Sequence, residues 1–252
     1  MSQTSQIIRR MRNLATLPKR MQPGIGMTPA DVVHRENKWK LLRYRQRSEG
    51  LAYKTPVVMV PSLINRHYVL DLMPGKRFAE YLVARGHDVY ILDWGTPGAE
   101  DRHLTFDEIC DGYIGRAMRS ASRNTERGKA HLLGYCLGGT LTTIYAARRP
   151  ERVAALLALA APIRFDDEGL LAKWVQTPSF DVDALGRAMG NVPWPLMLAA
   201  FHMLRPTLLM NKATYMGDRA WDDEFLDGFF AVEYWGNDNV SFPGGAYRTY
   251  IQ

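Results

Sequence analysis

Ala130-His131-Leu132-Leu133-Gly134-Tyr135-Cys136-Leu137-Gly138-Gly139-Thr140 is the stretch on which the reading of this 252-residue chain turns. Ala130–Leu133 reads as a short buried strand, and Gly138 to Arg149, closed by Pro150, as a helix. Between them stands G-x-C-x-G. A backbone that swings from strand to helix in so few residues carries its central side chain at the tip, in a strained conformation. The flanking backbone passes so closely that the residues two before and two after must be small. The turn sets Cys136 at a helix N-terminus, where partial positive charge favours a thiolate. The Leu137 N–H is expected to point at the oxyanion of a tetrahedral intermediate. The spacing alone is weak, because glycines around a structural cysteine are common; its place between a strand and a helix is what gives it weight.

Working outward, the same rhythm repeats. Thr55–Pro61 (TPVVMVP) and Asp88–Leu92 (DVYIL) are short continuous apolar runs, the pattern of strands buried on both faces. Lys76–Arg85 has helical spacing and is stopped by Gly86. Thr105–Arg123 reads as a long helix opened by a capping box, Thr105 with Glu108. Val153–Ala160 is a fourth strand. Such alternation predicts an α/β fold: an open, mostly parallel sheet with helices on both faces. The loop after the first of these strands, Ser62-Leu63-Ile64-Asn65, is expected to supply a second oxyanion amide, from Leu63 or Ile64. After Pro162 the pattern changes to Trp, Met, Phe, Pro and Asp, with helical pieces near 183–189, 195–204 and 222–232. The expected division is a basic arm over 1–54, a core over 55–165 and a helical cap over 166–252. The cap aromatics Trp174, Phe180, Trp194, Phe201, Trp221 and Trp235 either line an apolar, water-poor chamber or build the cap's own core.

Composition narrows the class. At 46% hydrophobic and 23% charged residues the chain can bury a core, which excludes collagen-like and disordered readings. No window is long and apolar enough to span a bilayer. The start, MSQTSQIIRRMRNL, has no apolar run after its basic residues, so no secretory signal is expected. With Cys110 and Cys136 the only cysteines, a reducing, cytoplasmic compartment is expected. Residues 1–50 carry 11 Lys/Arg against 3 Asp/Glu, whereas the rest is nearly neutral. The basic arm can touch an anionic surface or an acidic partner, or simply be solvated. Within it, 31–47 reads as a basic amphipathic helix or a helix–strand lead-in, and order is expected to begin properly at Thr55.

Sulfur in place of oxygen carries a chemical message. A thiolate attacks a thioester in a nearly thermoneutral exchange and leaves an acyl-enzyme that is still a good acyl donor, which suits transfer onto an alcohol. A general base is harder to place. His202, the only histidine after Cys136, lies in an apolar helical segment and reads as a packing residue. His131 is on the nucleophile strand itself, and His67 follows the oxyanion loop without suiting the base role well. Cys110 reads as inert core. No ligand spacing indicates a metal, and no glycine-rich phosphate loop indicates a nucleotide cofactor. The visible sheet is short, so it is expected to be incomplete, with acid and base beyond this sequence.

The residues resemble a known family, the polyhydroxyalkanoate synthases, and are most similar to the class III catalytic subunit. The matching pieces are Val60-Pro61-Ser62-Leu63-Ile64-Asn65, Tyr68–Leu72, Asp93-Trp94-Gly95, Gly112-Tyr113-Ile114 and the box Leu133–Thr140. Trp174-Val175-Gln176, Met189–Pro193, Tyr234-Trp235 and Phe242-Pro243-Gly244 follow. The resemblance implies an α/β-hydrolase fold with Cys136 as nucleophile and a cap over 166–252. It also implies a (R)-3-hydroxyacyl-coenzyme A substrate, coenzyme A entering as thioester and no separate cofactor. A growing polyester, a second non-catalytic subunit, homo-oligomers and a polyester-granule surface are the partners it implies, with no nucleic acid. Its catalytic Asp and His match no residue here. Two other readings stay open: a hydrolase of esters or polyester, and an inactive homologue that binds granules or partners.

Overall fold

The computed structural model describes residues 3–21, 24–46, 50–166, 168–204 and 206–252. Two short helices lead the chain, α1 (Gln3–Ala15) and α2 (Leu17–Arg20). Then come strands β1 (Ala30–Glu36), β2 (Trp39–Tyr44) and β3 (Tyr53–Val60), helix α3 (Phe78–Ala84) and strand β4 (His87–Asp93). A π-helical stretch, Glu108–Ile114, runs into α4 (Gly115–Ser122). Strand β5 (Ala130–Tyr135), helix α5 (Leu137–Arg148) and strand β6 (Val153–Leu159) complete the sheet region. The six strands lie in the order β1-β2-β4-β3-β5-β6, with β4, β3, β5 and β6 parallel and the β1–β2 hairpin antiparallel on one edge.

The continuous apolar runs have a simple cause. Val58, Val60, Leu92 and Leu132 pack on one face with Ile109, Ile114, Met118, Leu141 and Tyr145, while Val57, Met59, Ile91 and Leu133 pack on the other with Leu70, Ala79 and Val83. A strand covered on both faces has no position where a polar residue is favoured. The capping box is formed: the Thr105 amide donates to Glu108 Oε2 at 2.8 Å and the Glu108 amide to Thr105 Oγ1 at 3.2 Å.

Two expectations are corrected. Segment 31–47 is a β-hairpin as far as Tyr44, not a helix (Arg47 lies outside the described residues), so order begins well before Thr55. The hairpin turns at Asn37, whose φ of 50° suits a two-residue loop. Its strand β2 closes the free edge of β4, pairing Lys40 with Asp93 and Arg43 with Tyr90. Arg43 grips the Asp88 carboxylate with both nitrogens, at 2.8 and 3.1 Å, and Trp39 and Leu41 turn into the core. An edge ladder and a matching carboxylate outweigh local helical spacing. The second correction concerns β6. Its sequence, VAALLAL, reads as buried, yet Leu156, Leu157 and Leu159 are exposed, because among the described residues no strand pairs with its outer edge.

From Pro162 onward the described chain has no strand element. It runs through α6 (Leu170–Val175), α7 (Val182–Met189), α8 (Trp194–Leu204), α9 (Leu208–Asp218), α10 (Asp223–Asn237) and α11 (Gly244–Ile251). This segment is tied to the stretch after β3 by several hydrogen bonds: the Val240 amide donates to Ile64 O at 3.0 Å, Trp235 Nε1 to Arg66 O at 3.0 Å, Asn65 Nδ2 to Asn239 Oδ1, and Arg66 Nε and the Tyr68 hydroxyl to the Asp238 carboxylate at 3.1 and 2.5 Å. Trp174, Trp194 and Phe201 lie exposed, so they enclose no chamber.

If the hairpin is part of the core, Leu41→Ala removes a wholly buried side chain from the main cluster. The expected cost is about 3 kcal/mol, read as a lower urea midpoint with an unchanged slope.

Candidate active site

The site is built where three parallel strands end together. In register, Val60 of β3 lies opposite Gly134 of β5, and Tyr135 opposite Leu159 of β6. One residue beyond β5 stands Cys136, at φ 53° and ψ −130°, a conformation that costs a non-glycine residue about 1–3 kcal/mol. The surroundings hold it there. Its amide donates to Leu159 O at 3.0 Å, and its carbonyl accepts from the Gly139 amide at 2.7 Å.

The glycines are required by contact. A Cβ on Gly138 would lie 2.1 Å from Val60 O and 2.5 Å from Pro61 O. One on Gly134 would lie 2.1 Å from Thr142 Oγ1 and 2.4 Å from Gly139 Cα, and one on Gly139 2.2 Å from Ala161 Cβ. The start of α5 is therefore pressed against the end of β3 and the exit of β6. Trp94, buried after β4, donates from Nε1 to Pro61 O at 3.0 Å and fixes the same corner. Thr140 Oγ1 donates to Pro162 O at 2.6 Å and fixes the other.

Cys136 is half-buried and its sulfur has no hydrogen-bond partner among the described residues. Leu137 opens α5, and its amide likewise has no partner there, as expected of the first turn of a helix. Of the two loop amides expected to help, that of Ile64 faces Ser62 Oγ at 3.5 Å, whereas that of Leu63 has no partner among the described residues. Burial first, and then electrostatic interaction with Cys136, raise Tyr135 and Tyr250 above the usual tyrosine value. Tyr250 belongs to α11, so the final helix lies within electrostatic range of Cys136, which no motif announced. Cys110 is buried with its thiol pushed up to about 12, first by burial and then by Asp111 and Asp107, as befits core.

No histidine hydrogen-bonds or ion-pairs with Cys136 among the described residues. His202 lies on α8 and His131 on β5. His67, on a short 3-10 turn after the β3 loop, has its Nδ1 3.4 Å from Asp93 Oδ1, an electrostatic contact rather than an aligned hydrogen bond. Burial works to raise the Asp93 carboxyl, but His67, the Gly95 amide and Lys40 outweigh it and hold it at about 2. The structure thus brings together a His–Asp pair at the end of β4, and it brings Leu137 and the β3 loop to Cys136, without joining the two.

A chain with this geometry belongs to the α/β-hydrolase fold family, whose model matches residues 55–246. Residues 19–82 also match the model described as the poly-beta-hydroxybutyrate polymerase N-terminus. Poly(3-hydroxyalkanoate) polymerase subunits of Haloferax mediterranei and Allochromatium vinosum are each 34% identical to it over 90% of this chain. A counterpart from Synechocystis is 32% identical. The resemblance to polyhydroxyalkanoate synthases read from the sequence is shown by these relatives. The chain spans 46% of the length of the first and 64% of the second. Among solved structures, a probable hydrolytic enzyme of Pseudomonas aeruginosa aligns over 91% of this chain and 64% of its own, at 16% identity and a TM-score of 0.48.

Gly138→Ala is expected to destabilise the protein by about 3 kcal/mol, because the facing atoms are backbone carbonyls that cannot step aside. Thermal unfolding reads this, and alkylation of Cys136 should change rate with it. Asp93 gives a pH signature. Its folded pKa is depressed from 3.8 to about 2, so its stabilisation is complete above pH 4 and is lost as pH falls towards 2. Asp93→Asn should flatten the acid limb of stability against pH by about 2 kcal/mol over that window.

Proposed function

We propose that this chain carries the acyl-accepting centre of a polyhydroxyalkanoate synthase, in which Cys136 takes a (R)-3-hydroxyacyl group from its coenzyme A thioester. The observation that carries this reading is a strained, half-buried Cys136 at the mouth of a helix, with the unpaired Leu137 amide next to it. The Cys136 thiolate adds to the thioester carbonyl. The electron pair moves to oxygen, where the Leu137 amide, with Leu63 as second donor, receives it. Collapse breaks the bond to coenzyme A, which leaves as its thiolate, and acyl-Cys136 remains. The 3-hydroxyl of another acyl unit then attacks that carbonyl and loses its proton. Cys136 leaves as thiolate, and the polyester is one unit longer. The deprotonation is work for a His–Asp pair; no described histidine contacts the sulfur, so the acylation half is the part these residues supply.

The names of the relatives support polymer synthesis as the class, and the sulfur nucleophile favours transfer over hydrolysis. In this reading coenzyme A is a substrate carrier, residues 166–252 form a cap, and the chain works in the cytoplasm at a granule surface, with a second subunit or a second copy as partner.

Incubation with 3-hydroxybutyryl-coenzyme A should release one equivalent of coenzyme A and add one acyl mass to the peptide bearing Cys136. Cys136→Ala should abolish both, and Cys136→Ser should slow acylation by about a hundredfold or more. Labelling that survives Cys136→Ala overturns the assignment; sustained release of free 3-hydroxybutyrate assigns the chain to hydrolysis instead.

A further inference from the structure

The loop that carries the Leu63 amide is held at both ends. At its start the Pro61 carbonyl accepts from Trp94 Nε1 at 3.0 Å, and the Leu63 side chain is buried in the main core cluster. Its far end is held by the residues that close α10. Asn65 forms an isolated antiparallel bridge with Asn239, and Asn65 Nδ2 donates to Asn239 Oδ1. The Val240 amide donates to Ile64 O at 3.0 Å. The Asp238 carboxylate accepts from Arg66 Nε at 3.1 Å on Oδ1 and from the Tyr68 hydroxyl at 2.5 Å on Oδ2. Arg66 also reaches the turn after β4, where it donates from Nη1 to Thr96 Oγ1 at 3.1 Å.

Asp238 is the centre of this clamp. A carboxylate can accept from both loop side chains at once, and the bond from a guanidinium is charge-assisted. Its own backbone is anchored, since the Asp238 amide faces Tyr234 O and Trp235 O, each at 3.1 Å, in the last turn of α10. Burial, and then the bond to Asp238, raise the Tyr68 phenol above the usual tyrosine value, so Tyr68 stays a donor. An oxyanion donor lowers a barrier only if it is already aimed at the place where charge develops. Trp94 fixes the backbone on one side of Leu63, and the clamp fixes it on the other. We propose that Asp238 is a positioning residue for the Cys136 site, which sets the direction of the Leu63 amide by holding Arg66 and Tyr68. This rests on the oxyanion role given to Leu63 above. The end of α10 then acts on the chemistry through the loop, so the segment after Pro162 tunes the site as well as covering it.

The test is single-turnover acylation of Cys136 by 3-hydroxybutyryl-coenzyme A in the full chain, run beside hydrogen–deuterium exchange over residues 62–68. Asp238→Ala should lower the acylation rate constant by about tenfold to a hundredfold, the range of a misplaced donor. The half-saturating substrate concentration should stay within about twofold, because an oxyanion donor acts on the transition state and not on ground-state binding. The final label should still reach one acyl group per chain. Tyr68→Phe removes a single hydroxyl and should lower the rate constant by a smaller factor. In the Asp238→Ala background it should add nothing, since it works through the same carboxylate. Exchange over 62–68 should quicken by about tenfold in Asp238→Ala while β5 exchanges as in the parent. An unchanged rate constant in either variant, additive effects of the two substitutions, or unchanged exchange overturns the proposal. A labelled fraction that falls at the parent's rate constant marks general unfolding and overturns it as well. A parent that takes no acyl group overturns the assignment of Cys136 instead; quickened exchange over 62–68 then still supports the clamp, and unchanged exchange overturns it.

Discussion

The contact on which the structure depends is between Gly138 and the carbonyls of Val60 and Pro61, where even one methyl group has no room. It joins the start of α5 to the end of β3. The nucleophile candidate and the oxyanion loop therefore cannot move apart without breaking a backbone contact. Everything else at the site braces that corner. Trp94 holds the Pro61 carbonyl from the β4 side, and Leu159 holds the Cys136 amide from the β6 side. The strained φ of Cys136 persists because both flanks over-determine it.

The sheet shows how edges are treated unequally. The β4 edge is closed by a hairpin drawn from the basic leading segment, whose arginine finds a carboxylate in place. The β6 edge stays open among the described residues and shows leucines to solvent. A long apolar edge of this kind invites another strand to pair with it. The same sequence character, a continuous apolar run, thus gives a buried stretch over 56–60 of β3 and an exposed one at β6. The difference lies in the neighbours.

Charge in this protein works mainly through placement. Asp93 is half of a contact with His67 and is braced by the Gly95 amide, which holds its carboxylate ionised down to low pH. The arginines near the N-terminus clasp Asp223 and Asp227 on α10 and so fix the orientation of a helix whose apolar side faces out. Most of these side chains are exposed, so their contribution to global stability is small. Their consequence is orientation.

The residues alone determined the elbow, because G-x-C-x-G between a strand and a helix admits few backbone paths, and the glycines at 134 and 138 proved to be packing requirements. They also determined β3, β4, β5 and their order of appearance, because burial on both faces writes itself as uninterrupted apolar runs. They did not determine the fate of 31–47, since a ladder on the β4 edge and a partner at Asp88 are contacts distant in sequence, and these overruled local spacing. Nor could they show that Leu63 and not Ile64 keeps an unpaired amide, that Tyr250 comes within electrostatic range of Cys136, or that His67 meets Asp93. Each of these depends on which atoms arrive from elsewhere in the chain, and only the folded arrangement sets those distances.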